Sequence, residues 1–277
     1  MFALWHSLAA HLPFEWAQYA FMRQALLTLL LAAPIFALLG GLVVSHRMAF
    51  FSDVMGHAAL TGLAIGTLLG LADPGWAMLP FAAILALGIV GLRRWSAAST
   101  DTILGLVMSF AVALGLVLLS RGGQFSKYSR YLVGDLLTIT PGETMRLAAL
   151  AVLVLGVWLL LYNRMFLTGL NRSLARSRGV PVWTLECVFA TVIALVVTVS
   201  IPWVGLLVIN SLLLLPAAAA RNLARNTAGF AGWAVAASLV SSVAGLILSY
   251  RWNTATGATI VLVAMAIFLV TLPFRKR

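Results

Sequence analysis

The sequence predicts an all-α fold, a polytopic integral membrane helical bundle of about eight or nine transmembrane helices, forming a single transmembrane domain over residues 1–277. Three observations predict it. Of the 277 residues, 62% are hydrophobic and only 9% are charged, where a soluble domain carries about a quarter charged residues. Charge-free stretches long enough to cross a bilayer recur along the whole chain. The 18 Lys and Arg outnumber the 7 Asp and Glu, giving +11. In an apolar chain that excess reads as cytoplasmic loop charge facing lipid headgroups, and no nucleic-acid partner is expected.

Residues 1–20 lack the basic start of a signal peptide, so no cleavage is expected. Trp5, Phe14, Trp16 and Tyr19 instead suggest an N-terminal segment lying in the membrane interface. A hydrocarbon core of about 30 Å needs roughly 20 apolar residues per helix. Stretches free of Asp, Glu, Lys and Arg run 24–45, 54–72, 74–92, 102–120, 147–163, 187–220, 226–250 and 252–274. The sixth is too long for one crossing. Its Ser200-Ile201-Pro202-Trp203 combines a residue without a backbone donor and an interfacial aromatic, so two helices are expected there. That makes nine spans, or eight if one segment is re-entrant.

Alternating the connections places Arg47, Arg93, Arg94, Arg164, Arg172, Arg176, Arg178, Arg221, Arg225, Arg275, Lys276 and Arg277 on one face, twelve of the eighteen basic residues. That face is expected to be cytoplasmic, with the N-terminus outside and the C-terminus inside. Two connections are long: 121–146 on the outer face and 163–182 on the inner face, the latter a candidate coupling loop. The single cysteine, Cys187, excludes an internal disulfide and a Cys-based zinc site. Only two lysines occur, Lys127 after Ser126 and Lys276 after Arg275, so no G-x-x-x-x-G-K-[ST] phosphate loop exists. The chain is not expected to be an enzyme, and any ATP hydrolysis must reside in another subunit.

The second span opens Phe51-Ser52-Asp53-Val54-Met55-Gly56-His57. An Asp at the centre of a transmembrane helix costs about 2.5–3.5 kcal/mol on insertion scales, which makes such a carboxylate a functional candidate by default. Asp53 and His57, four apart, share one helical face with Cβ atoms about 5–6 Å apart, close enough for both to reach one cation. Thr61 continues the line. Two readings stand: a hydrogen-bonded structural pair, or half of a metal site. Two ligands are an incomplete set, and a symmetric dimer would bring four donors to one axis, which suits a divalent transition metal. Asp53 follows Arg47 by six residues, which puts it near the inner boundary unless an unwound entry through Met48–Ser52 deepens it. Ala58, Gly62, Gly66 and Gly70 form a small-residue ridge, open to packing inside the bundle or to a dimer seam. His6, His11 and His46 are expected to be solvated, and Glu186 either pairs with Arg178 or faces water.

On the inner face, Asn171 can cap a short helix, Leu170, Leu174 and Ala175 give it an apolar stripe, and Gly179 with Pro181 ends it. Such a helix suits either a soluble partner or an anionic lipid surface.

Five segments, in order along nearly the whole chain, resemble the membrane subunit of zinc or manganese ATP-binding-cassette importers. Arg47-Met48-Ala49-Phe50-Phe51-Ser52-Asp53 with His57-Ala58-Ala59-Leu60 resembles that family's R-M-x-F-F-x-D-x-x-x-H-x-x-L signature. Asp101-Thr102-Ile103-Leu104-Gly105, Tyr131-Leu132-Val133-Gly134-Asp135, Val204-Gly205-Leu206-Leu207-Val208 with Pro216-Ala217-Ala218-Ala219-Ala220-Arg221, and Gly257-Ala258-Thr259-Ile260-Val261-Leu262-Val263 are similar to its later segments. The resemblance implies that Asp53 and His57 ligate a transported divalent metal ion, zinc or manganese, with no permanently bound cofactor. It implies an ATPase contact at Leu170, Asn171, Arg172, Ser173, Leu174, Ala175, Arg176, Ser177, Arg178 and Gly179. It implies three protein partners: a cytoplasmic ATP-binding subunit, an extracytoplasmic metal-binding protein and a second permease copy in a dimer. The setting it implies is a bacterial plasma (inner) membrane. Asn171 and Arg172 stand where that family often has an acidic residue, and Asn210 where it commonly has Ser. The rival from another class is a proton-coupled secondary metal transporter, in which Asp53 and His57 relay protons and no ATPase is needed.

Overall fold

The computed structural model describes residues 15–122, 134 and 136–275. Trp5 and Phe14 of the expected interfacial segment, and Tyr131–Val133 and Asp135 of the outer loop, lie outside the described residues.

The described chain is built of α-helices: α1 (Ala20–Ser45), α2 (Phe51–Leu68), α3 (Gly75–Trp95), α4 (Thr100–Gly122), α5 (Pro141–Leu170), α6 (Arg172–Ser177), α7 (Val182–Val204), α8 (Leu206–Leu223), α9 (Thr227–Trp252) and α10 (Thr256–Thr271). Seven of these, α1, α3, α4, α5, α7, α9 and α10, are long and apolar enough to cross a membrane. With the shorter apolar α8 they are roughly consistent with the eight or nine spans read from the sequence; α2, which carries Asp53 and His57, is not among the seven. Trp16 is packed away from solvent in a short 3-10 turn, Glu15–Gln18, while Tyr19 is exposed and lies against Phe21 and Tyr250.

Two boundaries differ from expectation. The division of 187–220 falls at Gly205, not at Pro202, which stays inside α7. Pro34, Pro80 and Pro216 are likewise accommodated within helices, as membrane helices allow where neighbours satisfy the freed carbonyls. Gly205 has φ 82° and ψ 153°, a region open in practice only to glycine. A Cβ on Gly134, itself at φ 70°, would collide with the Gly205 and Val204 backbone. The break is therefore made by two glycines in backbone contact. The second difference is α5, which runs seven residues past 163 to Leu170. Its 30 residues span about 45 Å, more than the hydrocarbon thickness, so the exposed Arg164 sits on a helix that outruns the bilayer rather than in a loop.

The chain forms two compact units. The first takes the described parts of Met1–Gly41, Val133–Gly156 and Pro202–Arg277. In it α8, α9 and α10 pack on one another. Gly245 of α9 lies against Ile260 of α10, Gly257 of α10 against Val208 of α8, and Gly40 of α1 against the Leu213 backbone of α8. Each contact is the close approach that small residues permit. Gln24 Nε2 donates to Thr144 Oγ1 at 2.6 Å, and the Thr28 and Thr144 hydroxyls lie 3.0 Å apart, tying α1 to α5 with fully buried polar groups.

The second unit takes Leu42–Leu132 and Val157–Ile201. Here α2 packs against both α3 and α4. The Gly62 and Gly66 ridge receives α3: a Cβ at either would meet Ala77, Met78 or Pro74 within 3 Å. That ridge packs inside the unit. At its end Gly70, at φ 67°, faces open space and closes the helix in the left-handed conformation.

Candidate functional site: the first turns of α2

The α1–α2 connection is tight. Arg47 takes a left-handed φ of 54°, the Met48 N–H bonds back to Val43 O at 3.1 Å, and α2 begins at Phe51. Asp53 therefore stands in the first turn of α2, just past a non-helical entry that covers Met48–Phe50 of the expected Met48–Ser52, and the helix N-terminus favours its negative charge. Around it Phe51, Val54, Met55, Ala58 and Ala59 are fully buried, while Asp53, His57 and Leu60 form the half-buried face of the helix. Asp53 and His57 are thus the two polar groups on the accessible side of the first turns of α2. Among the described residues no group of three or more His, Cys, Asp and Glu side chains gathers as a metal site. Within the described part of one chain, α2 provides two donors.

Thr61 does not extend that line. It is 1% exposed, donates to Ala111 O at 2.6 Å, and packs where a Cβ on Gly115 would meet its hydroxyl. It joins α2 to α4.

His46 is buried, not solvated, at 8% exposure. Its Nε2 donates to Met165 O at 3.0 Å, and its ring stacks on Phe189 at 4.5 Å between centroids. Gly169 gives it room, since a Cβ there would lie 2.9 Å from the ring. Burial lowers its pKa to about 4, and Arg93 and Arg172 push the same way against the hydrogen bond to Met165 O. The unfolded value is about 6.5. Between these two values the unfolded chain binds the extra proton, so stability is complete above about pH 6.5 and declines as pH falls towards 4. Wild type is expected to lose about 2 kcal/mol between pH 6.5 and 5. His46→Gln should be less stable at neutral pH but flat across that range. Thermal unfolding in detergent at the two pH values measures both.

Glu186 pairs with Arg172, not Arg178, at 2.6 Å, which fastens α6 to the first turns of α7. Helix α6 starts on Asn171, whose side chain accepts from the Leu174 N–H at 3.0 Å. It ends at Gly179, φ 71°. Of the residues Leu170–Gly179, Ala175 is buried and Leu170 and Leu174 are exposed.

The seven long apolar helices define a multi-pass membrane protein. The comparisons make this specific. The pattern of the ABC 3 transport family matches residues 18–275, and the chain belongs to that family. It is 34% identical over 261 residues to the high-affinity zinc uptake system membrane protein ZnuB of Haemophilus influenzae, covering 94% of this chain and 99% of that one. It is 28% identical over 261 residues to the manganese transport system membrane protein MntC of Listeria monocytogenes, covering 94% and 92%. The solved structure of PsaBC from Streptococcus pneumoniae in complex with Fab matches with a TM-score of 0.79 at 24% identity, over 98% of this chain and 95% of that chain. That last likeness establishes the fold.

Proposed function

We propose that this chain is the permease subunit of an ATP-driven importer for a divalent transition-metal ion, zinc first and manganese or iron within the same chemistry. Family membership supports transport. The 34% identity to a zinc uptake protein, above the 28% to a manganese one, supports zinc. The observation that carries the reading is the pair Asp53 and His57, one helical turn apart on the only half-buried face of the first turns of α2. A carboxylate and an imidazole suit a borderline divalent ion. A second copy of the chain would complete the ligand set to four, which favours a dimer.

The sequence has no phosphate loop, so hydrolysis falls to a cytoplasmic ATP-binding subunit, docked at Leu170–Gly179, and an external metal-binding protein delivers the ion. The basic face holding Arg93, Arg94, Arg172 and Arg176 belongs to the cytoplasm of a bacterial inner membrane, with the N-terminus outside and the C-terminus inside. The metal is cargo, held long enough to be selected and weakly enough to leave.

The test is to purify the chain with its co-expressed neighbours, assay bound metal, and measure uptake into proteoliposomes. Zinc uptake should require ATP and a second, ATP-hydrolysing subunit, and excess manganese should compete only weakly. Uptake by the isolated chain, driven by a proton gradient without nucleotide, would replace this reading by that of a secondary transporter.

A further inference from the structure

In the second unit, the end of α3, helix α6 and the start of α7 enclose a cleft of about 620 Å³. Four of its lining residues are Arg93, Arg94, Arg172 and Arg176, and its single carboxylate is Glu186. Arg172 is matched by Glu186 at 2.6 Å. Arg93 Nη1 reaches Met48 Sδ at 3.1 Å, a weak acceptor, and it shares the charge of Glu186 with Arg172. The Arg94 guanidinium lies 5.7 Å above the centre of the Trp183 ring. That stack uses the face of the guanidinium and leaves its N–H edge for an anion. The cleft thus carries an excess of three positive charges in a form suited to an oxyanion.

An apolar furrow leads to it. Ile84, Leu87, Gly88, Gly91 and Trp95 fall on one face of α3. Ile84 is 69% exposed and Trp95 85%. A Cβ added at Gly88 or Gly91 would meet nothing within 4 Å. Eleven residues of helix give this furrow a length of about 16 Å, the scale of an acyl chain, and it ends where arginines and tryptophans mark the edge of a span. A carboxylate on a protein partner would use the arginines and leave the furrow idle.

We propose that this cleft binds the headgroup of an anionic phospholipid, a phosphodiester held by Arg93, Arg94 and Arg176 with its acyl chain along the α3 furrow. The site is separate from Asp53 and His57, shares Arg176 with the segment proposed above to dock the ATP-binding subunit, and does not depend on which ion is transported.

Native mass spectrometry of the full chain in detergent tests it, with phosphatidylglycerol, phosphatidylcholine and inorganic phosphate as probes. Phosphatidylglycerol should be retained at least about thirtyfold over phosphatidylcholine. The pair Arg94→Gln with Arg176→Gln should lower phosphatidylglycerol binding about thirtyfold, with phosphatidylcholine binding and the thermal midpoint unchanged. Arg94→Lys with Arg176→Lys should keep most of the binding. If the double Gln variant fails to fold, Arg94→Gln alone, at an exposed position, should still cost about fivefold. Equal retention of the two lipids, or a preference that survives the Gln pair, overturns the proposal. Displacement of the lipid by equimolar inorganic phosphate would make this a free-anion site and overturn it. So would Gln variants that lose the ATP-hydrolysing subunit while keeping phosphatidylglycerol, which would mark a protein-docking surface.

Discussion

Asp53→Ala and His57→Ala should each cut metal uptake at least about 100-fold, the upper end of the loss seen when groups that merely support a metal ligand are removed. Membrane insertion and the amount of folded chain should not fall. The physical argument separates the two readings of the pair. Asp53 and His57 lie on the half-buried face of the first turns of α2, whose buried face there is formed mainly by Phe51, Val54, Met55, Ala58 and Ala59. Removing the carboxylate lifts an insertion cost of about 2.5–3.5 kcal/mol if Asp53 lies deep, and costs almost nothing if it lies at the boundary. A structural role predicts altered stability with uptake preserved, whereas a ligand role predicts the reverse. Asp53→Asn sharpens the contrast, since it keeps the shape and an oxygen but loses the charge that draws a divalent ion. Uptake in the assembled transporter, read beside detergent thermal midpoints, distinguishes them. Uptake should also weaken at acid pH, because protons compete with the metal for both donors.

Gly205→Ala should be the most damaging single change to the fold, with a loss of folded yield and a destabilisation of about 3 kcal/mol or more. Two costs add. The φ of 82° with ψ 153° is barred to a residue with a Cβ, and the Gly134 backbone lies against the same peptide, so the break cannot relax by moving aside. Gly134→Ala should fail in the same way, since its Cβ would strike the Val204 carbonyl. The control is Gly105→Ala in α4, where a Cβ would meet nothing within 4 Å; helix propensity predicts a neutral result or a gain of up to about 1 kcal/mol. Yield and thermal midpoints of the three variants, measured in one detergent, make the comparison.

These two sites differ in how far the sequence disclosed them. The spans themselves were legible, because hydrocarbon thickness turns a run of about 20 apolar residues into a helix with few alternatives. Asp53 and His57 were legible for the same reason inverted, as polar groups in a segment that should exclude them. The position of the α7–α8 break was not. Pro202 is the local signal, but what forces the chain to turn is a backbone approach between Gly134 and Gly205, 71 positions apart, and no local pattern reports such a distance. His46 misled for a related reason. Placed beside Arg47, it has the setting of a loop residue, and only the return of Met165 and Phe189 from far along the chain buries it. Thr61 has the spacing of a ligand, yet its hydroxyl is taken by a carbonyl of α4. In each case the residue's neighbours in space, not in sequence, decide its role.

The short α6 has almost no slack. Asn171 clamps its first turn, the Val180 N–H bonds back to Ala175 O at 3.0 Å, and only Pro181 separates that closure from α7. Together with the ionic bond from Arg172 to Glu186, this makes α6 and the root of α7 one stiff elbow with a covalent and an electrostatic brace. A load applied to α6 would therefore pass into the first turns of α7 rather than be absorbed by slack between them.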